Sequence, residues 1–140
     1  SGMTPERNSR VVADDASADA VSVLAALQEL VDGRDAESLI ALFDESAVLV
    51  GTGGDARNRD GLRRYLTAVA TQPESLRWEW KEVVPYYRVA SALGFAAFGE
   101  VVVSGRDGER RAPIRVTIFA LQTHDGWQIR QFHGSIPSDF

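Results

Sequence analysis

Apolar residues along the chain fall into two regimes, with a helical period in the first half and a strand period in the second. Ala20, Val23, Leu24, Leu27, Leu30 and Val31 recur three and four residues apart, which predicts one apolar stripe on a helix. Asp15 or Ser17 can cap that helix, and Gly33 stands where a helix ending at Asp32 would place its C′ residue. Asp35 caps a shorter helix carrying Leu39, Leu42 and Phe43, which Asp44-Glu45-Ser46 ends. Ala47–Val50 reads as a short strand, stopped by Gly51-Thr52-Gly53-Gly54. Asn58 or Asp60 opens a third helix with Leu62, Tyr65, Leu66 and Val69 on one side, and Pro73 closes that half.

From Leu76 the period becomes two. Trp78 and Trp80 alternate with Arg77, Glu79 and Lys81, the pattern of a strand with one wet face. Ala90–Ser104, Ile114–Gln122 and Trp127–Ile136 follow as further strands, with turns at Arg106–Glu109 and Asp125-Gly126. Asp-Gly between apolar runs is a hairpin signal, and it occurs twice. Helices followed by an antiparallel meander define an α+β domain rather than a parallel βαβ design. Ala92–Val103 and Ile114–Leu121 are apolar at both parities, so both faces of the sheet should be dry. Helices cover one face. A second copy of the chain, or tight curling of the sheet, must cover the other, and the homodimer is the favoured alternative.

Ser1-Gly2 ahead of Met3 reads as an expression scar and residues 3–16 as a flexible arm, leaving residues 17–140 as one domain. A charged fraction of 25% and a hydrophobic fraction of 44% are those of an ordinary globular domain of this length. The net charge of −5, with Lys81 the only lysine, argues against a nucleic-acid partner. The absence of cysteine excludes disulfides, thiolate metal sites and a cysteine nucleophile. His124 and His133 are the only histidines, so a three-histidine metal site is impossible, and no HExxH spacing suggests another metal. With no long apolar run and no leader-like start, no membrane contact and a cytoplasmic location are expected.

The last strand makes the pattern specific. His124-Asp125-Gly126-Trp127-Gln128-Ile129, followed by Gln131-Phe132-His133-Gly134-Ser135-Ile136-Pro137, resembles the ending of SnoaL-like proteins of the nuclear-transport-factor-2-like, cystatin-like superfamily. Val48–Gly53, Asp60-Gly61-Leu62 and Tyr65-Leu66 are similar to the same family's first strand, glycine turn and third helix, and Arg115-x-Thr117 to its penultimate strand. The resemblance implies N-terminal helices packed on a strongly curved antiparallel sheet, forming a cone-shaped half-barrel with an internal pocket. It also implies frequent dimerisation through the convex sheet face. The family hosts isomerases, cyclases, dehydratases and non-enzymatic binding or association domains, and its enzymes commonly use an aspartate or an Asp/His pair inside the cone. The turn Gly51–Asp55 departs from the acidic or proline-containing turn often found there.

His133 is the first candidate for chemistry. If Ile129 packs against the helices, strict alternation puts Gln131 and His133 on the same concave side. A histidine there could act as acid or base near neutral pH; the competing reading is a hydrogen-bonded structural histidine. Arg115 and Thr117 share parity on the adjacent strand. Arg115 can grip a ligand oxygen, or instead pair with Glu100 on the preceding strand. Trp78, Trp80 and Tyr65 form a candidate aromatic wall, with core packing or a dimer interface as the alternative. Asp44 is a candidate internal carboxylate, although aspartates at helix ends are usually solvated, and His124 belongs to an exposed turn. Three functions therefore stand side by side. The first is an acid/base enzyme on a small apolar carbonyl compound, needing no cofactor. The second is a non-catalytic small-molecule binding or dimerisation module, and the third a pure association domain whose pocket is vestigial.

Overall fold

The computed structural model describes residues 5–138, with side chains from residue 15 onward. The first helix, α1, runs Pro5–Asp32. The expected arm is thus helical from Pro5, because no glycine or proline interrupts the chain before Gly33 and each added turn costs little once a helix exists. The reading of Ser1-Gly2 as a scar lies outside the described residues. Two helices follow in the first half, α2 (Ala36–Ala41) and α3 (Arg59–Thr71), capped by the side chains of Asp35 and Asn58. The strands are β1 (Phe43–Val50), β2 (Asp55–Ala56), β3 (Ser75–Val89), β4 (Ala92–Gly105), β5 (Gly108–Thr123) and β6 (Gly126–Ser135).

These six strands form one open sheet in the order β2-β1-β6-β5-β4-β3. The long strands are antiparallel as their hairpin signals require, and Gly108 and Gly126 carry the positive φ of their turns, 111° and 109°. The sheet is mixed rather than wholly antiparallel, because β1 lies parallel to β6. Bulges bend it. Lys81 and Tyr86 have no partner in β4, and Arg130 has none in β5. At the Lys81 bulge the strands approach so closely that a Cβ on Gly99 would stand 2.1 Å from the Glu79 carbonyl oxygen, which only glycine tolerates.

The helices pack into the concave face. The stripe Ala20, Val23, Leu24, Leu27 and Val31 of α1 meets Phe95, Ala97, Ile118 and Ile129 of the sheet, all buried. β3 is an edge strand, and Gln28 of α1 completes it. Its side-chain amide donates to the Leu76 carbonyl at 2.9 Å, and its side-chain oxygen accepts from the Trp78 N–H at 2.8 Å. Arg34, at φ 55°, donates to the carbonyls of Gln72 and Glu74 and so ties the α1–α2 link to the chain entering β3.

Candidate functional site

Between α1, α2, α3 and the concave face lies a cavity of about 790 Å³. Its walls are mostly apolar: Leu27 and Val31 from α1, Leu66 and Val69 from α3, Leu76 and Trp78 from β3, Val101 from β4, Ile114 from β5, Phe132 from β6. Polar side chains reach it from few places, namely Tyr65 in the middle of α3, Gln72 just beyond its end, Thr52 in the glycine turn, and Arg110 on β5. Thr52, Gly53, Arg110, Arg111 and Ile136 are also exposed to solvent, so they mark the opening.

Tyr65 is half-buried in the α3 wall of the cavity. Burial raises its phenol above the usual tyrosine range. Its hydroxyl makes no hydrogen bond to another described residue. It passes over Gly51, where an added Cβ would lie 1.9 Å from the phenolic oxygen. Glycine at position 51 therefore makes the room that the phenol occupies.

Of the residues expected at the site, Tyr65 and Trp78 line the cavity, and His133, Gln131, Arg115, Thr117, Glu100, Asp44 and Trp80 do not. The error in the last strand has one physical cause. Ile129 faces the helices as expected, but Arg130 is a bulge: Phe119 pairs with Gln131 and Ala120 with Ile129, leaving Arg130 extra. One extra residue inverts the parity beyond it. Phe132 and Gly134 therefore face inward, and Gln131, His133 and Ser135 turn to the convex face. His133 is exposed there, beside Thr117 on β5 and Val50 on β1.

The other misplaced residues have specific partners. Arg115 donates to Ser135 Oγ at 3.0 Å and is not paired with Glu100. Glu100 instead meets Arg111 at 3.2 Å and Lys81 at 3.7 Å. Asp44 lies in β1 rather than at a helix end. Its carboxylate accepts from the Ser46 N–H at 2.9 Å and meets Arg130 at 3.7 Å, which secures the entry to β1. Trp80 stacks on Trp78, ring centres 6.5 Å apart, but lies over a surface groove between α1 and β3. Thr52, Gln72, Arg110 and Phe132 were missed. For Phe132 a signal existed, since Phe132, Gly134 and Ile136 are the apolar parity of the strand's second half. Among the described residues no group of three or more histidine, aspartate or glutamate side chains could hold a metal, and no helix is long and apolar enough to cross a membrane.

Helices of the first half laid in a bent sheet of the second, with a cavity between, define the α+β architecture of NTF2-like, cystatin-like proteins. A SnoaL-like domain profile matches residues 23–131, and the chain belongs to the SnoaL-like domain family. No functionally curated protein matches it in sequence. Among solved structures it is similar to a provisionally assigned dehydratase of the NTF2-like family from Streptomyces avermitilis, with TM-score 0.76, 15% identity, and coverage of 89% of this chain and 98% of that one. An NTF2-like protein from Pseudomonas putida KT2440 aligns with TM-score 0.73 and 14% identity over 92% of each chain. An NTF2-like protein with a cystatin-like fold from Novosphingobium aromaticivorans aligns with TM-score 0.70 and 12% identity, covering 100% of this chain and 94% of that one. At such identities the likeness is one of fold.

Proposed function

We propose that this SnoaL-like domain is a binding module for one small, largely apolar molecule bearing an oxygen that Tyr65 hydrogen-bonds. The observation that carries this reading is the Tyr65 hydroxyl, unpaired by the described protein and set in an apolar cavity of drug-like size. A bound carbonyl or hydroxyl would supply the partner that the phenol lacks. Binding is favoured over proton transfer because among the described residues neither histidine nor carboxylate stands on the cavity wall, and a phenol whose pKa is raised by burial is a poor acid near neutral pH. Reactions such as dehydration belong to the named relatives, and these residues do not supply the paired groups that such chemistry uses.

A neutral fluorescent probe, 1-pyrenebutanol, tests the assignment. Saturable binding of one probe per chain is expected, and Val69→Trp, which fills the cavity from α3, should abolish it while the chain stays folded. No saturable binding to the parent protein, or undiminished binding to Val69→Trp, would overturn it.

We further propose that a second copy of the chain covers the convex face. Val84, Ala96, Thr117, His133 and Val50 form one row across five strands, and Phe98 stands in the next. Val84 and Phe98, on the edge strand β3 and its neighbour β4, are 41% and 42% exposed and leave apolar surface open on this face. On this reading His133 belongs to a contact between copies rather than to the cavity.

A further inference from the structure

Arg110 and Arg111 are neighbours on β5 with opposite surroundings. Side chains alternate along a strand, so Arg111, opposite Val102, points to the convex face. There three carboxylates meet it: Glu79 at 2.7 Å, Glu100 at 3.2 Å and Glu109 at 3.4 Å. Arg110, opposite Val103, points to the cavity side and lines the opening. It makes no hydrogen bond or ion pair with any described residue. Glu74 and Asp107 border the surface cleft next to it, and neither pairs with it. Among the described residues no carboxylate lines the cavity itself.

The cavity thus has an apolar body and, at its opening, a guanidinium that is charged at every accessible pH and has no counter-ion among the described residues. Its fork of N–H donors matches a carboxylate in two-point geometry. The net charge of −5 gives the chain no general attraction for anions, so a preference for one has to arise locally. We infer that the molecule held in the cavity is an organic acid, with its apolar body against Trp78, Val101 and Phe132 and its carboxylate on Arg110 at the opening. This rests on the binding reading above and narrows it to a chemical class.

The test compares 1-pyrenebutyrate with its uncharged isostere 1-pyrenebutyramide by fluorescence titration. The parent protein should bind the acid about tenfold more tightly than the amide, as a single partly solvated charge-assisted contact allows. Arg110→Gln should bring the two affinities together. Arg106→Gln, which removes the same charge from the exposed β4–β5 turn outside the cavity, should leave the preference intact. Equal affinities in the parent protein, or a preference that survives Arg110→Gln or disappears in Arg106→Gln, would overturn the acid assignment while leaving the binding module standing. Failure of both probes to bind would overturn both.

Discussion

Gly51 and Tyr65 act as one site split between a turn and a helix. A methyl group on Gly51 would meet the phenolic oxygen at 1.9 Å and the ring carbon that bears it at 2.8 Å, so Gly51→Ala must displace the ring. The expected cost is about 1–3 kcal/mol, typical of an overpacked site, read as a lower midpoint in urea unfolding. Tyr65→Phe in the same background should recover part of it, since the oxygen is the nearer atom. At the other wall, Phe132 and His133 differ by one position and by a whole face. Phe132→Ala should weaken probe binding and cost about 2 kcal/mol, less than the ~3–5 kcal/mol of a fully buried phenylalanine. His133→Ala should leave probe binding unchanged. A fall in probe affinity on replacing His133 would return the histidine to the cavity.

At the scale of elements, β3, β4 and β5 are tied on their convex side by a charged row. Glu79 accepts from Arg111 at 2.7 Å and from Arg77 at 2.8 Å, and those two hydrogen bonds, Arg111 first, hold its carboxyl down to about 2. A carboxyl lowered in the folded state stabilises the fold fully above its unfolded value. That contribution is lost as pH falls through the folded value. The stabilisation from Glu79 is therefore present above pH ~4.5 and drains between there and about 2. In acid unfolding followed by circular dichroism, Glu79→Gln should flatten the stability slope in that window. A slope identical to the parent's would show that the row contributes nothing. The pairs are solvent-exposed, so the effect should shrink in high salt.

At the scale of the whole molecule, the helices bury the concave face and leave Val48, Val50, Val84 and Phe98 on the convex one. If a second copy covers them, Phe98→Glu puts a charge into that contact. Light scattering should then show a dimer for the parent and a monomer for the variant, with the cavity still binding its probe. A parent protein that scatters as a monomer would remove the dimer.

The sequence by itself determined what depends on local period and turn chemistry. The helix–strand division, the helix caps at Asp35 and Asn58, the two Asp-Gly hairpins and the SnoaL-like ending all follow from neighbours within a few residues. Tyr65 and Trp78 were legible for the same reason, each belonging to an apolar face that its own element defines. Only the tertiary structure decided the rest. The parallel seat of β1 beside β6 joins segments far apart in the chain. The bulge at Arg130 becomes visible only when β5 is laid against β6, because alternation along a single strand cannot reveal a residue that the partner strand skips. That one unpaired residue moved His133 out of the cavity and Phe132 into it. A similar pairing distinguished two adjacent arginines, since the glutamates of β3, β4 and β5 made Arg111 a structural tie and left Arg110 uncommitted among the described residues.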